Sequence, residues 1–291
     1  MKDKVLITGA TGATGQSAIK HLLERNIPVR AMVHKIDERS AVLEKLGVEI
    51  VVGDLNDFDS VSTALEGISA AYFLYPIQVP GILEATAFFI QAALENGVNH
   101  IVNISQRTAR RDAKSHAAQN HWIAERLLDR SGLHITHLRP TLFAEWLSYV
   151  AKDIRENNRI VLPFGEGKYA PITAEDQGHV IAAILSEPGR HIGKTYDLLG
   201  LEELSLFNIA AILSEIIQRE ITYVPIEIEP FKQIMVQNPD FTPWFIQHLS
   251  AIASDVRNGV TAGTNDTVEE LIGSKPLSIA HYITENKNLF L

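Results

Sequence analysis

Short runs of branched and aromatic apolar residues alternate along the chain with longer segments whose apolar positions recur every three to four residues. The runs are Lys4–Thr8, Val29–Val33, Val48–Val52, Ala70–Leu74, His100–Ile104 and His134–Leu138. Each carries the signature of a strand. Between them, Ala18, Ile19, Leu22 and Leu23 mark one face of a helix, and Ala41, Val42, Leu43 and Leu46 mark a second. Val61, Ala64 and Leu65 mark a third, Leu83, Ala87, Ile90 and Leu94 a fourth, and Ala117, Ala124, Leu127 and Leu128 a fifth. Strand and helix alternating at this pace predict right-handed βαβ units, and so an α/β fold with a doubly wound parallel sheet. Asn26-Ile27-Pro28, Gly47, Gly53, Gly67, Gly97 and Gly132 punctuate the element ends.

After Leu138 the rhythm becomes irregular. Leu142–Glu156 has helical spacing, and Pro163-Phe164-Gly165-Glu166-Gly167 reads as a loop. Thr173 and Asp176 precede an apolar helix over His179–Leu185, and Thr195–Leu199 is a further strand candidate. Ser205 introduces a helix over Phe207–Ile217, a strand follows at Ile221–Pro225, and the rest from Phe231 reads mostly as helices. No repeat or flexible linker is visible, so the second half is expected to pack onto the first. The expected division is a dinucleotide-binding unit over 1–158 and a smaller, mostly helical lobe over 159–291. The strand near 195–199 is a candidate to rejoin the sheet.

Composition narrows the chemistry. Hydrophobic residues are 46% and charged residues 21% of 291, values of a globular chain and not of a disordered one. The net charge of −9 makes the chain a poor polyanion binder, so no nucleic-acid partner is expected. There is no cysteine, which removes thiol nucleophiles, thiolate metal sites and disulfides. No run approaches the roughly 18 apolar residues of a membrane span, and the start lacks a secretory signal core. A cytoplasmic protein with no membrane partner is the expectation. Eleven histidines are present, yet none shows a metal-site spacing, and Ser105 lacks the setting of a hydrolase nucleophile.

The first strand runs straight into Thr8-Gly9-Ala10-Thr11-Gly12-Ala13-Thr14-Gly15, and a helix follows. Gly9 and Gly12 allow a sharp turn and close approach of backbone to a pyrophosphate, and Gly15 lets the helix pack tightly. The helix N-terminus then offers N–H groups and partial positive charge to the phosphates. Thr11 and Thr14 add hydroxyls. With a strand before, a helix after and βαβ units beyond, this is a dinucleotide cradle rather than a bare turn.

In this loop the chain resembles the short-chain dehydrogenase/reductase superfamily, and within it the atypical NmrA-like branch. Val29-Arg30-Ala31-Met32-Val33, Gly53-Asp54-Leu55-Asn56-Asp57, Ile101–Ser105, Leu138-Arg139-Pro140 and Pro171-Ile172-Thr173-Ala174-Glu175-Asp176 carry the same resemblance. It is dense to about Leu185 and thin afterwards. It implies a Rossmann-type sheet and a bound NAD(P), held by residues 9–15 and flanked by Asp54 and Leu55 at the adenine. Phe73, Leu74, Tyr75 and Pro76 would run beside the adenosine and nicotinamide ribose, and Pro140 would lie at the sixth strand's end. Tyr75 reads equally well as an aromatic at the core's edge.

At the end of the second strand, NAD sites place an acid for the ribose hydroxyls, whereas a 2′-phosphate wants cations. This chain places His34 and Lys35 there, with Arg39 a few residues on and Asp37 and Glu38 past the expected contact. The branch often has arginine at the His34 position. NADP(H) is therefore favoured over NAD(H).

The superfamily carries out proton transfer with a Ser and a Tyr-x-x-x-Lys array near the fifth strand. Aligned on Gly132 and Thr136, the Tyr position holds Ala117 and the Lys position His121, so the usual acid–base pair is absent. Some NmrA-like reductases carry His there. His121 is expected to contact the nicotinamide ribose and steady substrate, with Ser105 as a second polar group. Glu125, four residues on along one helix face, could orient the imidazole or raise its pKa. The competing reading is a partly exposed histidine merely paired with Glu125.

The basic run from Gln106 to Lys114 reads either as an anion contact or as a solvated loop. Trp146, Phe241, Trp244 and Phe245 read either as pocket walls or as core. Two functions fit. One is an NAD(P)H-dependent reductase passing hydride to a small flat acceptor such as a quinone or dye. The alternative is a non-catalytic NAD(P)-binding sensor acting through a protein partner. A homo-oligomer is compatible with both.

Overall fold

The computed structural model describes residues 3–291. Strand β1 (Val5–Ile7) leads into helix α1 (Ala13–Glu24), β2 (Val29–Val33), α2 (Glu38–Lys45), β3 (Glu49–Val52) and α3 (Phe58–Leu65). Then come β4 (Ala70–Phe73), α4 (Ile82–Glu95), β5 (His100–Ile104), α5 (His116–Asp129) and β6 (His134–Pro140). A 3₁₀ turn over Ala144–Val150 runs into α6 (Ala151–Asn157), β7 (Arg159–Leu162), β8 (Lys168–Tyr169) and α7 (Ala174–Ser186). After β9 (Thr195–Leu198), β10 (Leu204–Ser205), α8 (Leu206–Ile217) and β11 (Thr222–Pro225), four helices complete the chain. They are α9 (Ile228–Val236), α10 (Pro243–Arg257), α11 (Thr267–Ile272) and α12 (Ile279–Glu285).

Seven strands form one parallel sheet in the order β3-β2-β1-β4-β5-β6-β9. This is the doubly wound, Rossmann-type arrangement read from the alternating pattern. Side chains along each strand serve opposite faces. Val5 and Ile7 join one core with α1 and α7, whereas Leu6 joins the other with α3 and α4. Burial on both faces explains why these strands read as unbroken apolar runs.

The seventh strand comes from the Thr195–Leu199 run, which returns beside β6 after a long excursion. Between them, α7 lies along α1 so closely that a Cβ on Gly178 would stand 2.3 Å from Ser17 Oγ. The excursion and the chain's end build a further core of Leu147, Ile154, Leu213, Ile252 and Phe290, among others. Two features were not foreseen. The Leu142–Glu156 segment is split between a 3₁₀ turn and a short α-helix, and β7 and β11 form a small parallel pair outside the main sheet. Among the described residues, no helix is long and apolar enough to cross a membrane.

Candidate functional site

The sheet's strand order reverses direction between β1 and β4, and in such sheets the ligand crevice opens there, beyond the carboxyl ends of the strands. The glycine loop stands at this point. Gly9 has φ +61°, and a Cβ on Gly15 would meet the Gly9 carbonyl at 2.4 Å and the Ala10 Cα at 2.8 Å. The third glycine thus lets α1 close on the loop itself. Gly12 caps α1 without any side-chain hydrogen bond, so the helix's first turn is left open to a ligand. Thr8, singled out only as the start of the motif, fastens the loop to β4: its Oγ1 accepts from Leu74 N at 2.7 Å and donates to backbone carbonyls there. Ala10 and Thr14 are buried within the cradle, while Ala13 and Gly12 face out and Thr11 is half-buried.

At the end of β2, His34 and Lys35 are exposed and have no side-chain partner among the described residues. Arg39 is committed elsewhere. Its guanidinium bonds the Asp37 carboxylate at 2.6 Å, and that carboxylate also accepts from the Arg39 and Ser40 backbone N–H groups to cap α2. The Arg39 side chain beside it holds Asp37 below the usual carboxylate range. Asp37 is therefore a helix cap, and Lys35 stands at this corner as an exposed cation without a side-chain partner among the described residues. Asp54 is exposed, and its carboxylate accepts from Asn56 N at 2.9 Å, while Leu55 rests half-buried against the core.

A cavity of about 380 Å³ opens beside the loop, over the ends of β4, β5 and β6. Leu74, Tyr75, Pro76, Ser105, His121 and Pro140 all line it, as the resemblance implies. Phe73 does not. Its side chain is wholly buried against Phe89 with ring centroids 4.5 Å apart, because it lies on the strand face opposite Tyr72. Tyr75 is both wall and strut: its hydroxyl donates to Pro80 O at 2.8 Å and accepts from Asn56 at 3.0 Å.

Buried polar groups are normally paired, yet this cavity concentrates unpaired ones. Gln106 Nε2, Arg107 Nε, His121 Nδ1, Thr141 Oγ1 and Glu145 Oε2 all lack a hydrogen-bond partner among the described residues, while Ser105 turns its hydroxyl to the Glu125 carboxylate. Ser105 and His121 were picked out from sequence as catalytic candidates, and Gln106 and Arg107 fell within the basic run read as an anion contact or a solvated loop. Thr141 and Glu145 follow β6 with no motif to mark them.

His121 and Glu125 share a face of α5 but are not hydrogen-bonded to one another. Glu125, with no exposed side chain, accepts from Arg139 Nε at Oε1 (2.8 Å) and from Arg139 Nη2 at Oε2 (2.5 Å). The expectation that Glu125 orients His121 is thus corrected: a bidentate arginine fork is a stronger claim on a buried carboxylate. Burial opposes the Glu125 charge, but hydrogen bonds from Arg139 outweigh it and keep its carboxyl below the usual range. Burial pushes His121 down to about 4, so the imidazole is neutral at physiological pH.

A second buried histidine was missed. His248, on α10, lines the same cavity and hydrogen-bonds Ser115 Oγ through Nδ1 at 2.7 Å. Burial, with His121 nearby, lowers it to about 3. Helix α10 is held over the site from the other side too: Trp244 Nε1 donates to Ile77 O at 3.1 Å. The basic run divides: Arg111 and Lys114 are exposed, whereas Arg107 and Arg110 are tied down. Arg107 pairs with Asp197 on β9, and Arg110 forks onto Asp255 on α10 at 2.6 and 2.8 Å. Trp146 lines this cavity, and Phe241 and Phe245 line an adjoining one.

Comparison with known proteins agrees with this geometry. The family model described as the NmrA-like family matches residues 1–283. An NAD(P)H azoreductase of Xenophilus azovorans is 30% identical over 282 residues, covering 96% of each chain. A crystal structure of an NADPH-dependent quinone oxidoreductase from Escherichia coli, complexed with NADPH, superposes with a TM-score of 0.87. It is 26% identical and covers 98% of this chain and 100% of that one. The Citrobacter sp. triphenylmethane reductase complexed with NADP(H) superposes at 0.84, with 26% identity and coverage of 97% and 99%.

Proposed function

The chain belongs to the NmrA-like family, and from that membership we propose that it is an NAD(P)H-dependent reductase passing hydride to a small flat acceptor such as a quinone or dye. The observation that carries the reading is the junction of the glycine cradle with a cavity crowded by unpaired polar atoms. The residues fit a dinucleotide: Gly15 lets α1 close on the loop, the first turn of α1 has no side-chain cap, and the exposed His34 and Lys35 stand at the β2 end without a side-chain partner among the described residues. When bound, the dinucleotide supplies the hydride and the protein supplies orientation.

In this reading residues 9–15 hold the pyrophosphate, His34 and Lys35 meet a 2′-phosphate, and NADP(H) is preferred. Asp54 and Leu55 flank the adenine. Ser105 and the neutral His121 offer hydrogen bonds to the ribose and acceptor. The part from 159–291 contributes His248 and Ile252 to the acceptor wall. No Tyr-x-x-x-Lys array stands on α5, and burial keeps both cavity histidines uncharged. That suits acceptors whose reduced form is a stabilised anion, because its proton can come from water. Carbonyl reduction, which needs a strong general acid, suits the site poorly.

The test is NADPH consumption against 1,4-benzoquinone, an azo dye and a triphenylmethane dye, alongside cofactor affinity by nucleotide fluorescence. Steady turnover with at least one acceptor is expected, and His121→Ala is expected to reduce it. Tight binding with no turnover across the panel would overturn the reductase reading in favour of a non-catalytic sensor.

A further inference from the structure

A second chamber, of about 440 Å³, lies directly beyond the acceptor cavity. Leu142, Trp146, Tyr149 and Ile252 are walls of both spaces, so the two adjoin through one partition. Its far side is built by β7, α9 and α10. Its size and apolar lining are those of a ligand pocket.

Three features show what it would hold. The packing there is thin: Phe231, Met235 and Ile246 form only a small satellite core, while Ile234 on the same helix stays 56% exposed. An apolar ligand would complete that core. Second, the charged residues of the lining cancel one another, with Arg159 Nε 3.0 Å from an Asp153 carboxylate oxygen. An anionic head would find no free cation, so the occupant is uncharged. Third, the partition is aromatic, with Trp146 and Tyr149 edge-on at 6.2 Å, and Tyr149 is 55% exposed. A flat head in the first cavity could thus continue past these rings into the second.

We infer that the acceptor carries a flexible, uncharged hydrocarbon tail of alkyl or isoprenoid type, and that this second chamber binds it. The inference rests on the reductase reading and specifies its substrate class. Burial of even two methylenes lowers an apparent dissociation constant by about tenfold, so the tail should dominate acceptor affinity.

The test compares 1,4-benzoquinone with the same ring bearing a ten-carbon alkyl chain. The tailed quinone is expected to show a KM at least about tenfold lower. Met235→Trp, which fills the chamber, should bring the KM ratio towards one. Ile234→Trp at the more exposed rim provides the same test should Met235→Trp not fold. Binding is read independently with 1-decanol, which has no redox chemistry. It should change the Trp146 fluorescence, judged against Trp146→Phe, and should compete with the tailed quinone. Decanoate should bind more weakly than decanol.

Equal KM values for the two quinones, with both reduced, would overturn the tail chamber and leave the reductase standing. Decanol binding that both filling variants leave intact would also overturn it, since the tail would then sit elsewhere. Loss of the reductase reading alone would appear as decanol binding with neither quinone reduced.

Discussion

Glu125 and Arg139 form a two-point ion pair across α5 and β6, and the carboxylate in it is completely shielded from water. Removing the arginine leaves the buried charge with only the longer Arg126 contact, at 3.3 Å, whereas removing the acid leaves a guanidinium that is still partly wet. Arg139→Met is therefore expected to cost about 3–5 kcal/mol. Glu125→Gln should cost less, about 1–3 kcal/mol. Denaturant unfolding of the two variants measures the difference. Equal losses would show that Glu125 is not the strained partner.

Stability should fall on mild acidification. His121 and His248 are buried neutral, with values near 4 and 3 against an ordinary 6.5. Between those limits the unfolded chain binds more protons than the folded one, so stability rises with pH across this window. Each histidine contributes roughly 1 kcal/mol per pH unit there. Glu145 and Asp176, raised by burial, oppose the trend closer to the carboxylate range. Thermal midpoints from pH 7 to 4.5 should drop, and His248→Gln should flatten the slope. An unchanged slope in that variant would remove His248 from the account.

The glycine cradle gives a test with an internal control. Gly15→Ala places a methyl 2.4 Å from the Gly9 carbonyl, so the loop must shift. NADPH affinity, read by nucleotide fluorescence, is expected to fall at least about tenfold, more than the loss of a single ordinary hydrogen bond. Gly189→Ala, where a Cβ meets nothing within 4 Å, should leave it unchanged. A normal affinity in Gly15→Ala would count against phosphate binding at this loop.

The corner at β2 separates the two cofactors. Lys35 is exposed and unpaired, so Lys35→Ala should weaken NADPH by about tenfold, the scale of one charge-assisted contact. NADH should be affected little. Equal effects on both would place the 2′-phosphate away from Lys35.

Much of this was legible from residue patterns because the first half is locally consistent. Each apolar run, each turn and the GxxGxxG spacing point to the same βαβ units. What escaped was non-local. Helix α10 carries an ordinary amphipathic pattern, and nothing in it marks His248 as a cavity wall; that role comes from Ser115, 133 residues earlier. Likewise, Arg107 and Arg110 look like free charge until Asp197 and Asp255 fold back on them. The i,i+4 spacing of His121 and Glu125 suggested a pair, but Arg139, on a neighbouring strand, takes the carboxylate. Phe73 was misplaced for a simpler reason: strand alternation sends it to the face opposite Tyr72.

The contact between α1 and α7 bears on how the protein is made. The loop Gly9–Gly15 is among the first parts of the chain to be synthesised. The apolar flank of its helix, with Ile19 and Leu22, is covered by Val180 and Ile184 only after α7 has emerged. The sheet edge at β6 waits longer still for β9, and the histidine wall from α10 comes later again. A nascent chain therefore exposes the underside of its nucleotide cradle to water until about two-thirds of it has been translated. Chaperone dependence is expected to concentrate in that interval.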